Sequence, residues 1–320
     1  MLPARRAVID VGTNSVKLLV ADVSAQEVQP VWEDSKQTRL GTGFYETHIL
    51  QPEPILKTAR AVAKFTGVAR DHGAVSIRII ATSAARDAVN AAELVSALES
   101  AVGIKVEIIS GDQEAEWAFR GVTTDPKLAT APLLLLDVGG GSTEFILGQG
   151  RQKHFQESFP LGTVRLLEKI PHSDPPQSGE LKASREWIGE FLAREVQPKL
   201  TPALQRAAKV NDVDNQVQLI GTGGTTSILG RMEAGLDVYD RDRIEATRMS
   251  LQRLDWHVVR LWSLPLAERL KIIGLPPKRA DVILTGVLIY QMVMERFGFS
   301  ELRVSTRGLR FAAVMDASVR

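Results

Sequence analysis

The stretch Ile9-Asp10-Val11-Gly12-Thr13-Asn14-Ser15 returns in altered form as Leu136-Asp137-Val138-Gly139-Gly140-Gly141-Ser142. Asp, Val, Gly and Ser keep their places. Apolar and β-branched runs flank both copies, Ala7 to Asp10 and Val16 to Val23 around the first, Leu133 to Leu136 and Glu144 to Leu147 around the second. Each copy therefore reads as two strands joined at a turn, the first with an exposed polar tip. One duplication of this kind is too sparse for a solenoid and suits two related domains facing each other.

Outward from these turns the patterns alternate. Ile55 to Arg70 has apolar residues at helical spacing, Val75 to Ala81 reads as a buried strand, and Ala88 to Val102 as a second amphipathic helix ending at Gly103. Lys105 to Ile109 is a further strand, after which Ser110 caps a helix with Gln113 in capping-box position. Strand, helix, strand, helix implies an α/β layered fold. The polar, aperiodic segment Thr123 to Ala131 marks a domain boundary, giving a first domain over residues 1–124 and a second over 125–301. Residues 302–320, a strand at Leu302 to Ser305 and a short helix from about Gly308, are placed against the first domain. Helices are expected at Gly179 to Val196, Pro202 to Val210, Leu251 to Ser263 and Lys278 to Phe297.

Composition narrows the function. The 320 residues carry 39 Lys and Arg against 38 Asp and Glu, a formal charge of +1, so no global field steers the chain to nucleic acid or an anionic membrane. Any polyanion site is local. With no cysteine there is no disulfide, thiol nucleophile or thiolate zinc site, and none of the five histidines pairs at metal-ligand spacing. Val282 to Met294, the longest apolar helix, falls short of the ~20 residues that span a bilayer, and Asp10 and Asn14 interrupt any signal-like h-region. A cytoplasmic location is expected.

The turns carry the chemistry. Glycine lets the main chain approach a phosphate without a Cβ in the way, and converging N–H groups then bind it. Three glycine loops follow apolar strands: Gly12, Thr13, Asn14 and Ser15; Gly139, Gly140, Gly141, Ser142 and Thr143; and Gly221 to Thr226, with Gly223 and Gly224 at its centre. Asp10 and Asp137 end their strands just before two of these loops. A carboxylate beside a phosphate is unfavourable unless a cation bridges them, which points to Mg²⁺ or another hard divalent cation, with Glu144 completing the set directly or through water.

The motifs Ala7 to Ser15, Ala81-Thr82-Ser83-Ala84-Ala85-Arg86-Asp87-Ala88, Leu136 to Glu144 and Gly221-Thr222-Gly223-Gly224-Thr225 resemble the exopolyphosphatase and guanosine pentaphosphate phosphatase family. Arg39-Leu40-Gly41, Leu161-Gly162-Thr163, Lys278-Arg279-Ala280-Asp281 and Gly308-Leu309-Arg310 extend the likeness over the whole chain. The resemblance implies a duplicated actin-like ATPase (ribonuclease H-like) fold with an active-site cleft between the domains. It also implies Glu114 as the catalytic glutamate that orients or deprotonates water, and Arg86 as a phosphate-binding arginine. The reaction implied is hydrolysis of a terminal phosphoanhydride of inorganic polyphosphate or, alternatively, of guanosine pentaphosphate. No nucleic acid polymer or membrane partner is implied, and a homodimer is allowed but not required. A superfamily small-molecule kinase and a non-catalytic polyphosphate or alarmone sensor remain alternatives. The chain departs from the family pattern at Gln113, Glu116, Lys17 and Phe311-Ala312, and it lacks the extra helical region of longer members.

Overall fold

A computed structural model describes residues 3–24, 27–210 and 216–316. The chain divides into two compact units, Met1–Thr124 with Arg307–Arg320, and Asp125–Thr306. In the first, β1 (Ala4–Val11) and β2 (Ser15–Val23) form the antiparallel hairpin that the duplicated stretch predicts, with Asp10 opposite Lys17. β3 (Val28–Gln37) pairs with the outer side of β2. Helix α1 (Pro52–Asp71) then returns the chain so that β4 (Ser76–Ala81) lies parallel to β1. The short α2 (Ser83–Asp87), α3 (Ala91–Val102), β5 (Val106–Ile108) and α4 (Gly111–Val122) complete the unit, and the sheet order is β3-β2-β1-β4-β5. The helix expected from Ala88 begins three residues later, at Ala91, because Ala88 is extended at the end of α2.

Strand alternation explains the layering. Ala7, Ile9 and Val11 point to a core shared with Phe65 of α1 and Leu94 and Leu98 of α3. Val8, Leu19 and Ile80 point to the opposite core, shared with Trp117 of α4 and with Leu309 and Phe311 of the terminal helix Leu309–Met315. By the same alternation Asp10 faces the α4 side, with Val8.

The second unit repeats the plan. β6 (Pro132–Val138), β7 (Thr143–Gln149) and β8 (Gln152–Phe159) form the meander, followed by α5 (Thr163–Lys169). α6 (Ser178–Phe191) runs through a π turn, Leu192–Val196, into α7 (Gln197–Val210). β9 (Gln218–Thr222) lies parallel to β6 and leads into α8 (Gly223–Glu233). After α9 (Arg241–Glu245), β10 (Arg248–Ser250), α10 (Leu251–Ser263), α11 (Leu266–Arg269) and α12 (Ile283–Phe297) comes β11 (Glu301–Val304). The order β10-β11-β9-β6-β7-β8, read from its far end, reproduces the first sheet with one added edge strand. Both units are α/β and share one topology.

Three expectations need correction. The strand at residues 302–305 does not pack on the first domain: β11 pairs with β9 and β10 inside the second sheet. Pro202 does not open a new helix; it sits within α7, where burial of Leu200 and Ala203 holds the helix despite one missing N–H. The helix expected from Lys278 begins at Ile283, because Pro277–Arg279 forms a separate 3₁₀ turn.

One contact in the first unit tolerates no side chain. A Cβ on Gly121 of α4 would lie 2.1 Å from the carbonyl oxygen of Gly308, which caps the terminal helix. Both obstructing groups are backbone, so Gly121→Ala forces two helices apart and is expected to destabilise the protein by ~3 kcal/mol. Urea unfolding measures this, and a wild-type midpoint in the variant would show that the contact yields freely.

Candidate active site

In the first unit the turn closes when Gly12 N–H donates to Ser15 O at 3.1 Å. In the second, Gly139 N–H donates to Ser142 O at 2.9 Å. The repeat in sequence is therefore a repeat in hydrogen bonding. The first tip is not exposed as expected, since Thr13, Asn14 and Ser15 are all buried. The segment after β3 covers it: Thr38 and Arg39 donate their N–H groups to Asn14 O (3.1 and 3.0 Å), Gly41 donates to Thr13 O (2.8 Å), and Gln37 Nε2 donates to Asn14 Oδ1 at 3.0 Å.

The second turn is braced in the same way. Thr163 N–H donates to Gly139 O at 3.0 Å, Val164 and Arg165 N–H donate to Gly140 O at 2.8 and 3.1 Å, and Arg165 Nε donates to Gly141 O at 2.7 Å. Thr143 Oγ1 donates to Leu161 O. The bracing segments, which carry two of the motifs quoted for the resemblance, also repeat one another as Leu40-Gly41-Thr42 after β3 and Leu161-Gly162-Thr163 after β8. Extending the internal comparison past the third strand would have found this repeat. With the carbonyls held from behind, the N–H groups of Thr13, Asn14, Gly140 and Gly141 donate to no acceptor among the described residues. That leaves them available to an anion.

The third glycine loop is a strand-to-helix junction. Gly223 is the first residue of α8 with φ of 88°, and a Cβ there would stand 2.3 Å from Asp137 Oδ1, so only glycine lets the acid of one loop rest on the backbone of the other. Arg279 lies over Gly224, its Nη2 2.9 Å from where a Cβ would be.

Glu114 and Arg86 come together in the first unit. Ser110 Oγ accepts Gln113 N–H at 3.1 Å and sets the start of α4, which places Glu114 in its first turn, 7% exposed. Arg86, in α2 just past β4, donates from Nη1 to Glu114 Oε2 at 3.0 Å and to Ile109 O at 3.1 Å. A buried carboxylate bonded to a guanidinium is held in one orientation.

The acids differ in their surroundings. Asp10 is 3% exposed and its Oδ1 has no hydrogen-bond partner. Burial pushes its pKa up, while Lys17 and Arg310 pull it down less strongly. Glu144, 1% exposed, accepts hydrogen bonds from Ser142 Oγ at 2.7 Å and Ser158 Oγ at 2.8 Å, both on Oε1. Asp137 lies directly opposite Glu144 across β6 and β7. Among the described residues no three acidic or imidazole side chains already stand at metal-binding spacing. Taken separately, the donors of each unit suit a hard cation: an orphaned carboxylate oxygen on Asp10 in the first, and two carboxylates in register on the turn of the second.

Comparison with known proteins bears on this arrangement. The profile of the Ppx/GppA phosphatase family matches residues 19–317. The chain is 34% identical over 318 residues to exopolyphosphatase 2 of Mycobacterium tuberculosis, with 95% of this chain and 96% of that protein covered. The crystal structure of an exopolyphosphatase from Cytophaga hutchinsonii superposes with a TM-score of 0.83 at 26% identity, covering 96% of each chain. The Aquifex aeolicus family member superposes with a TM-score of 0.76 at 28% identity, over 98% of this chain and 96% of that one. With a family match over nearly its whole length and an actin-like α/β plan repeated twice, the chain belongs to the Ppx/GppA phosphatase family.

Proposed function

We propose that this phosphohydrolase is an exopolyphosphatase, which removes the terminal phosphate of inorganic polyphosphate by attack of water. The observation that carries the reading is the Arg86–Glu114 pair, a buried carboxylate held by a guanidinium in a family whose reaction needs a water held in line. The relative from Mycobacterium tuberculosis named exopolyphosphatase 2 favours the polymer over guanosine pentaphosphate. Cytoplasmic action on a free polyanion accords with a chain in which no described helix is long and apolar enough to cross a membrane.

Water oxygen bonds to the terminal phosphorus, the bridging P–O bond breaks, and the shortened chain leaves with the bridging oxygen. Glu114 orients the water and takes up its proton. Arg86 orients Glu114 through Nη1, and its remaining N–H groups offset charge on the terminal phosphoryl. Backbone N–H groups of Thr13, Asn14, Gly140 and Gly141, with Gly12, Ser15, Gly139, Ser142, Thr143, Gly223 and Gly224 around them, bind the phosphoryl oxygens. Asp10, Asp137 and, through water, Glu144 are the residues that would hold Mg²⁺, which supplies charge neutralisation for the phosphates. Catalysis is then largely positioning and electrostatics, as phosphoryl transfer requires.

Glu114→Gln keeps the size and a hydrogen-bond acceptor for Arg86 but removes the base. Orthophosphate release from polyphosphate with Mg²⁺ is expected to fall by about 10²–10⁴-fold while polyphosphate still binds. Wild-type release in the variant removes Glu114 from the mechanism, and faster release from guanosine pentaphosphate than from polyphosphate reverses the substrate assignment.

The raised pKa of Asp10 gives a second expectation. Because the folded pKa lies above the unfolded one, the native state binds the extra proton as pH falls, and above the folded pKa the full cost of the buried charge remains. Asp10→Asn removes that cost, so without added metal the variant should melt at a higher temperature than wild type near pH 7 yet release phosphate far more slowly. A lowered melting point would mean that Lys17 and Arg310 already compensate the charge.

A further inference from the structure

Tyr290, near the middle of α12, is fully buried, and its ring packs in the core of the second unit. Its hydroxyl, however, does not end among apolar atoms. It lies 3.2 Å from Leu136 O, the carbonyl just before Asp137 on β6, and 3.1 Å from Thr222 O, the carbonyl just before Gly223 on β9. It also shares a 2.7 Å hydrogen bond with Thr226 Oγ1, one turn into α8. Thr226 Oγ1 in turn lies 2.7 Å from Thr222 O, so its single proton serves either that carbonyl or the phenol oxygen. One phenol therefore reaches both parallel strand ends and the helix that follows the second of them.

Those ends carry a contact with no slack. Leu136 pairs with Gly221 and Asp137 with Thr222 in the β6–β9 register. Asp137 Oδ1 rests on the Cα of Gly223 at a point where a Cβ would be only 2.3 Å away. A small slip of β9 along β6 would either press the carboxylate into the glycine or open a gap beneath it. A phenol is suited to prevent this, since it is long and rigid, its one proton lies between the two strand-end carbonyls, and its oxygen accepts from Thr226 when that hydroxyl turns to it. Gly221 has no side chain, which leaves room for the ring: a Cβ there would lie 3.0 Å from Tyr290 Cε1. Burial, helped by the charges of Asp137 and Glu144, holds the phenol in its protonated, donating form.

We propose that Tyr290 is a positioning residue of the second acidic turn: its hydroxyl fixes the ends of β6 and β9 and thereby the seat of Asp137 on Gly223. It touches no reacting atom in this scheme and acts through the backbone of Leu136 and Thr222. The proposal rests on the exopolyphosphatase reading only for its kinetic consequence. The structural part stands on the second unit alone.

Tyr290→Phe keeps the ring and the core and deletes only the hydroxyl, so it tests the proposal in the full-length chain. Amide hydrogen exchange is read first. Exchange at Gly139, whose N–H donates to Ser142 O, and at Thr226 and Ser227 in the first turn of α8 should quicken by about tenfold or more, with the rest of α12 and the β6–β7 hairpin protected as in wild type. On polyphosphate with Mg²⁺, kcat should fall by roughly ten- to a hundredfold with KM changed less than about twofold, as a misplaced but intact binding site requires. Unchanged exchange at both turns overturns the proposal. So does a uniform loss of protection across the unit, which would make Tyr290 a general core residue, or an unchanged kcat beside a lowered melting point. If wild type itself releases no phosphate from polyphosphate, the functional reading fails, whereas the exchange result still decides what Tyr290 holds.

Discussion

Each half of this protein depends on a four-residue turn held in an unfavourable place. The turn ends a strand that carries a buried acid, and its own carbonyls point back into the protein, where water cannot satisfy them. An unpaired buried carbonyl costs about 1–3 kcal/mol, so the turns persist only because a second segment supplies donors. Thr38, Arg39 and Gly41 do so for the first, and Thr163, Val164 and Arg165 for the second. Arg39 does it at a φ of 57°, a left-handed backbone that few non-glycine residues adopt. With the carbonyls committed, the N–H groups of Thr13, Asn14, Gly140 and Gly141 have no acceptor among the described residues, and on the proposed reading it is this obligation of the opposite face that leaves them for an anion.

Much of this was legible in the residues. The repeated Asp-Val-Gly…Ser pattern names the hairpin and its partner, and strand alternation assigns the two faces, because both depend on local covalent geometry and period-two burial. The tip of the first hairpin was misjudged for a reason that local rules share: Thr13, Asn14 and Ser15 look like solvent-facing turn residues until a segment more than twenty residues later in the chain covers them. The location of β11 failed in the same way, because a four-residue strand does not reveal which sheet it will join. Pro202 misled because proline lowers helix propensity everywhere, whereas burial of Leu200 and Ala203 acts only in the folded unit.

The ion pair of Arg86 with Glu114 lay beyond local reading altogether. Each residue separately looks like an ordinary surface charge, one after a strand and one at a helix start. They meet because β4 is parallel to β1 and β5 to β4, so that the segments leaving β4 and β5 emerge at the same end of the sheet. Parallel sheets gather strand-end residues in this way, and the sequence shows the ends but not their convergence.

The two turns are alike in backbone and unlike in charge, and that difference shapes what each can do. Across the first hairpin Asp10 stands opposite Lys17, with Arg310 of the terminal helix within electrostatic reach, yet burial still outweighs both and raises its pKa. Across the second, the position equivalent to Lys17 is Glu144, so two carboxylates occupy one face with Ser142 and Ser158 hydroxyls donating to one of them. Neutral hydroxyls relieve a carboxylate without cancelling its charge. On the proposed reading a phosphate accompanied by positive charge suits such a turn better than a bare one, and Arg165 on Gly141 O and Arg279 over Gly224 are cations already beside it. Duplication thus preserved the backbone of the turn, while divergence at one cross-strand position replaced the lysine opposite the first acid with a second carboxylate.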